Sequence, residues 1–366
     1  MSYQRTHLAC VVVAVLFLSP AAAWAQVGTL TSSAPATERD GRVELNLVLD
    51  EGSALLLTQQ PATPPPPPPP PERGRRRPSM VGYINDAGIQ SQVRIRFDAG
   101  TGIDAPDRAE FFYAKCGCYR FLPSDHPAFD PNAQGPGPGI TTGVNFQAVY
   151  AQVEYGLNER FSLYGELPIR WIQPQGFVPG TGSFSNQSGL SDLRAGVKWA
   201  LVAQDSRFLT LQLQGNFPTG DGLKGLGVEH FSFEPALLYN QNLSDIVNLE
   251  GQFGVVVAAD GSDGIATASE KFSGDVLYYG IGPSFELYRS NDFRFAPVVE
   301  LVGWHVLSGF QTLTFSEAEG INILNLKVGG RFELPNRSSI YVGYGFALTD
   351  DVWYDDLFRL EYRYTF

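Results

Sequence analysis

The chain has 366 residues, with 38 acidic against 26 basic side chains and a formal net charge of −12. That balance is a poor match to a nucleic-acid surface, where clustered bases must neutralise phosphates, and three cysteines are too few for a disulfide scaffold. Many short glycine-bounded segments rich in tyrosine and phenylalanine predict an all-β class.

At the amino-terminus a lone Arg5 precedes an apolar run from Leu8 to Leu18, and Ala23-Trp24-Ala25 offers a small-x-small cleavage site before Gln26. Residues 1–25 therefore read as a secretory signal peptide, too short for an anchor. Cys10 lies ahead of most of the apolar run, so a lipoprotein reading is poor. Past the cleavage site no run reaches the roughly 18 apolar residues that a spanning helix needs. Export without a helical anchor is expected.

Residues 26–80 are expected to be a disordered periplasmic tail. Pro64 to Pro71 is unbroken proline, which favours an extended polyproline helix of roughly 25 Å. Arg73, Arg75, Arg76 and Arg77 follow; they could touch peptidoglycan or anionic lipid heads, or form a solvated basic linker.

Residues 81–107 are expected to hold one extra strand or a plug, because Ser91 to Asp98 alternates well but makes the strand count odd. Residues 108–366 are expected to form an antiparallel transmembrane β-barrel of about 12 strands, within a range of 12 to 14. The strands are placed near 108–115, 144–156, 160–171, 190–202, 206–217, 228–241, 246–258, 275–288, 292–307, 321–334, 338–348 and 357–366. Tight turns at 158–159, 203–206, 242–245, 289–291 and 335–337 alternate with longer loops near 116–143, 172–189, 218–227, 259–274, 308–320 and 349–356. Short periplasmic and long external connections are the layout of an outer-membrane barrel. The final strand has Phe358, Leu360, Tyr362, Tyr364 and Phe366 on one face and Arg359, Glu361 and Arg363 on the other. Phe366 is expected to act as an assembly signal for the barrel assembly machinery.

Strand faces separate lipid from lumen. Leu163, Leu167, Ile169, Trp199, Leu211 and Val328 are assigned to lipid, and Glu166, Arg170, Asp192, Arg194, Lys198, Glu234, Glu250, Glu286, Arg294, Glu300, Lys327, Arg331, Glu333, Arg359, Glu361 and Arg363 to the lumen. Acids and bases come out about equal, unlike a simple ion filter, where one sign should dominate. Either the charges pair across strands, or they line a polar path for a small solute. Glu300 is the best candidate for an isolated acid, with pairing to a neighbouring arginine expected even there.

Catalytic and metal chemistry find little support. His230-Phe231-Ser232 places an imidazole and a hydroxyl on one strand face, but toward the lumen, whereas a lipid-cleaving site must open toward lipid. Cys116-Gly117-Cys118, with Asp125, His126 and Asp130 beyond, matches no standard zinc spacing. The glycine-rich stretch 218–227 lacks the order of a phosphate-binding loop. Trp171, Trp199, Trp304 and Trp353 fall where interfacial aromatic girdles are expected. No catalytic residue, cofactor or metal is assigned.

Gly189-Leu190-Ser191-Asp192-Leu193 through Trp199, followed by Phe217-Pro218-Thr219-Gly220-Asp221 and Gly225-Leu226-Gly227, resembles the outer-membrane transporter family named for the meta-pathway of phenol degradation. The resemblance covers roughly residues 143–366 and leaves the proline-arginine tail and the Cys-Gly-Cys loop outside its pattern. It implies a barrel in the cell outer membrane that passes small aromatic or hydrophobic compounds, and carries over no catalytic residues. A structural or adhesive barrel, plugged by its own salt bridges and tied to the cell wall by its tail, is the alternative from another class. A lipid-modifying enzyme using His230 and Ser232 is a third.

Overall fold

The computed structural model describes residues 79–103, 141–177, 185–228, 230–259, 273–290, 293–311 and 316–366, with isolated positions between 123 and 131. The expected signal peptide, most of the tail, Cys116, Cys118, His126 and Asp130 lie outside the described residues. Twelve long strands form the wall: β1 (Gln92–Ile103), β2 (Thr141–Asn158), β3 (Phe161–Phe177), β4 (Leu193–Gln204), β5 (Arg207–Phe217), β6 (Ser232–Asn242), β7 (Val247–Ala258), β8 (Val276–Phe285), β9 (Arg294–Val306), β10 (Asn322–Leu334), β11 (Ser338–Ala347) and β12 (Asp356–Thr365). Each pairs antiparallel with the next, and β1 also pairs with β12, from Gln92 opposite Thr365 to Thr101 opposite Asp356. The ring is closed and offers no free wall edge. Among the described residues no helix is long and apolar enough to cross a membrane.

The first strand corrects the expected boundary. Ser91 to Asp98, expected as an extra strand or plug before a barrel starting at 108, is wall: Phe97 faces Val149 of β2 on one side and Leu360 of β12 on the other. The ring is complete without 108–115, which lies outside the described residues. The odd count arose because both segments alternate, and alternation cannot say which one finds two partners.

The strands form because alternation satisfies two solvents at once. In β12, Leu357, Arg359, Glu361 and Arg363 are buried inside while Phe358, Leu360, Tyr362 and Tyr364 are exposed outside. The same sorting puts Leu163, Leu167, Ile169, Trp171, Trp199, Leu237, Phe253, Ile281, Val299 and Val328 on the outer surface. An apolar belt of this kind is stable only against hydrocarbon, which is the outer-membrane pattern. The short connections sit at one end, which we call the turn end. There Asn336 adopts φ 72°, a left-handed conformation asparagine tolerates better than most residues. The longer connections sit at the loop end.

Inside, Tyr341 lies flat along the wall. A Cβ on Gly329 or Gly343 would fall 2.4 or 2.5 Å from its ring atoms or hydroxyl, so these two glycines make the shelf on which the ring rests. That shelf positions the chain segment described next.

Candidate functional site: the barrel lumen

Residues 79–91 enter the barrel. Ser79 and Met80, expected as the end of the tail, are 2% and 3% exposed, and the segment rises from the turn end to mid-height and returns to Ser91 at the foot of β1. An extended peptide carries unpaired backbone groups, and the wall satisfies them with charges. Glu300 accepts from the amides of Gly82 (3.2 Å), Tyr83 (2.9 Å) and Ile84 (2.8 Å), and from the Tyr341 hydroxyl (3.2 Å). Three successive amides converging on one carboxylate form an anion-binding nest. Glu250 accepts from Met80 N (3.0 Å) and Gln252 Oε1 from Asn85 N (2.9 Å). From the other side Arg331 donates to Met80 O and Val81 O, Arg359 to Gly82 O, and Arg363 to Ser79 O and Val81 O. The expected pairing of Glu300 with an arginine is thus replaced by pairing with peptide.

Apolar contacts complete the seat. Met80, Val81 and Ile84 pack against Ala296, Val298, Val302 and Tyr341, while Ala87 and Ile89 pack against Ala200, Phe208, Ala236, Leu238 and Tyr278. Burying a valine, isoleucine or methionine side chain contributes about 1.5–3 kcal/mol, so Met80, Val81, Ile84 and Ile89 add an apolar hold on the segment to that of its hydrogen bonds. Gly82 must be glycine here, since a Cβ would lie 2.2 Å from the Tyr341 ring. The signal in the sequence was Val298-x-Glu300-x-Val302, whose inward apolar residues do not suit a wholly wet lumen.

The other lumenal charges form two carboxylate nodes. Glu166 meets Arg94 (3.3 Å), Arg96 (3.6 Å) and Arg194 (3.3 Å); Glu361 meets Arg331 (2.7 Å), Arg363 (2.6 Å) and, more loosely, Arg94 (3.9 Å). Arg94 therefore bridges the nodes. Asp98 takes both ends of Arg359 at 2.7 Å, and Lys198 bonds Glu154 at 3.0 Å. At the turn end Arg294 joins Glu286 to Glu333. Glu234 accepts from Gln214 and Asn216, and Lys327 bonds the Tyr354 hydroxyl. Arg94, Arg96 and Asp98 were absent from the expected lumenal set, because they sit on the strand assigned outside the barrel.

Against the wall of β1 to β5 lies a cavity of about 350 Å³. It runs from Gln92 and Glu154 near the turn end to Trp304 and Trp353 near the loop end, with Asn85 and Asp86 of the lumenal segment on its flank. Its lining mixes Arg96, Glu166, Arg170 and Arg194 with Phe146, Tyr150, Tyr164, Trp353 and Tyr354. The Arg96 guanidinium lies 4.0 Å over the Tyr150 ring, a cation–π stack. Two of the four tryptophans expected in outer girdles are in fact here. Trp304 and Trp353 meet edge to face at 6.3 Å inside the barrel, whereas Trp171 and Trp199 are exposed outside. Trp304 follows Glu300 and Val302 on the inward face by simple alternation. Burial pushes the Tyr354 phenol well above its ordinary pKa.

At the loop end the stretches that carry the family resemblance are fasteners. Asp192 accepts from Gly220 N and Val228 N, both at 2.9 Å, and Thr219 Oγ1 accepts from Leu193 N (2.9 Å). A Cβ on Gly227 would lie 2.5 Å from the Asp192 carboxylate. Asp192 therefore holds a rim loop, not a lumenal ion. His230 Nδ1 meets Val228 O at 2.8 Å and the Ser273 hydroxyl at 3.3 Å, and burial lowers its pKa. Ser232 accepts from Asn216 (2.8 Å), so the imidazole and hydroxyl are engaged with different partners. No cluster suited to a metal ion occurs among the described residues.

Comparison with known proteins adds a family. A family model described as "Putative MetA-pathway of phenol degradation" matches residues 130–352. Among curated proteins none matches the chain. An outer membrane channel from Pseudomonas putida F1 resembles the structure with a TM-score of 0.47 and 13% identity, over 78% of this chain and 99% of that one. The NanC porin (TM-score 0.43, 8% identity, 75% and 100% covered) and LpxR from Salmonella typhimurium (0.39, 11%, 75% and 100%) follow. Likenesses of this size carry no argument about what the lumen does.

Proposed function

From the premise that the chain belongs to the family described as the MetA-pathway of phenol degradation, we propose that it is an outer-membrane channel for small solutes. One observation carries this reading: the elongated cavity of about 350 Å³ beside the lumenal segment, lined by rings and charges together. A solute with an aromatic or hydrophobic body and a polar group would find both kinds of partner along it. The apolar belt supplies the lipid-facing surface, and the turn end faces the periplasm, where the chain enters at Ser79. In this reading the segment 79–91 narrows one side of the lumen and leaves a path along the other.

The second reading, a structural barrel sealed by its own contacts, is favoured by how fully the wall satisfies that segment. Planar-bilayer conductance of the refolded protein separates the two. The channel reading expects discrete conductance steps and uptake of small aromatic solutes into liposomes. Silence in both experiments leaves the sealed barrel standing.

A further inference from the structure

Arg96 is a buried cation whose carboxylate contacts are all long. It is 8% exposed, and among the described residues it meets Asp98 Oδ2 at 3.5 Å and Glu166 Oε1 at 3.6 Å. Both exceed the roughly 2.7–3.2 Å of an N–H···O hydrogen bond. Asp98 is already committed to Arg359 through two 2.7 Å bonds, so it cannot close on Arg96. Glu166 is shared, because Arg94 and Arg194 each stand 3.3 Å from it. One carboxylate thus answers three guanidinium groups, all farther away than the about 2.7–2.9 Å of a charge-assisted bond.

The same cations converge on the cavity. Arg96 lies 4.0 Å and Arg194 5.8 Å from the centroid of the Tyr150 ring, and Arg170 is hydrogen-bonded to the Tyr150 side chain. All four residues line the cavity, and the Arg194 side chain is 35% exposed. The remaining acids on that lining have donors of their own. Glu154 accepts from Gln92, Ser162 and Lys198, Glu234 from Gln214 and Asn216, and Asp86 from Gly88 N and Gln90. At Tyr150, guanidinium groups therefore outnumber the carboxylate that faces them, and a solute in the cavity reaches their donors.

We propose that Arg96, Arg170 and Arg194, with Tyr150 as their floor, form a binding site for the carboxylate of a small anionic solute. This rests on the channel reading above and deepens it by giving the solute a charge and a place to dock. The fork of a guanidinium matches a planar carboxylate through two parallel N–H···O bonds. Glu166 offsets part of the cationic charge, so the surplus suits a monoanion better than a dianion. A neutral amide of the same shape keeps the size and loses the charge.

The test titrates propionate and propionamide into the folded full-length protein by calorimetry. Propionate should bind at least about tenfold more tightly than propionamide, as loss of a charge-assisted hydrogen bond implies. Arg96→Gln should weaken propionate by a similar factor, and Arg207→Gln, at an exposed turn, should leave it unchanged. Should Arg96→Gln fail to fold, Arg194→Gln takes its place, since that side chain is partly exposed. Equal binding of the two probes, no propionate binding to the wild type, or full binding to the folded arginine variants overturns the site. Tighter binding of inorganic phosphate than of propionate overturns its assignment to carboxylates. Planar-bilayer conductance separates this proposal from the reading it rests on. A conducting protein that ignores propionate keeps the channel and loses the site, whereas selective propionate binding without conductance keeps the site and loses the channel.

Discussion

At the residue scale the lumen depends on a few side chains with several partners each. Glu300 holds three successive amides, so Glu300→Ala should free Gly82 to Ile84 without opening the wall. Hydrogen bonds to a charged group are worth about 1.5–3 kcal/mol. Exchange of those amides should therefore quicken at least about tenfold, while exchange in β12 stays slow; unchanged protection at 82–84 would contradict the role given to Glu300. His230 sets a pH dependence at the rim. Burial holds its imidazole pKa below the ordinary value, with Asp192 the nearby charge opposing that shift. The folded state then takes up a proton less readily than the unfolded chain. Its stability contribution is complete above about pH 6.5 and falls as the pH drops through that value toward the folded pKa. The melting temperature of the wild type should fall on acidification through that window, and that of His230→Gln should fall less. Identical profiles would remove His230 from the account.

At the element scale the alternating faces were legible and the first strand was not. Residues of β3, β10 and β12 sort between lipid and lumen by simple periodicity, because charge on the lipid side is costly. Val328, 40% exposed near the middle of β10, is a direct probe. Val328→Arg should cost about 2–4 kcal/mol of barrel stability in a bilayer, measured by folding in lipid vesicles against urea; a cost near zero would argue that this face does not meet hydrocarbon. The role of β1 was hidden because strand partners are a long-range property, and a locally good strand at 108–115 competed for the same place. Phe366 tests assembly separately from stability. Its ring is 51% exposed while its amide donates to Ser91 O at 3.0 Å, so Phe366→Ala keeps the backbone bond and removes only the ring. Folded barrel in cells should fall although refolding in vitro is unchanged; normal cellular yield would exclude the signal.

At the scale of the whole molecule, ten of the sixteen lumenal candidates do three kinds of work, and the other six pair among themselves or with neighbouring wall side chains. Glu250, Glu300, Arg331, Arg359 and Arg363 hold the segment 79–91, Asp192 fastens a rim loop, and Glu166, Arg170, Arg194 and Lys198 border the cavity. Periodicity could place all of them inward but could not say what they bind, since peptide amides and carbonyls from 79–91 leave no trace in strand patterns. Trp304 was mis-sorted for a related reason: its position near a strand end suggested a girdle, and its parity with Glu300 pointed inward. The proposed channel requires the lumen to be a path bordered by a chain segment that can be displaced. Gly82→Val tests this most directly, because any side chain there collides with Tyr341 and must push the segment off its shelf. In planar bilayers the variant should show conductance steps larger than the wild type, with the barrel still folded. Equal conductance, or none from either protein, would contradict the account.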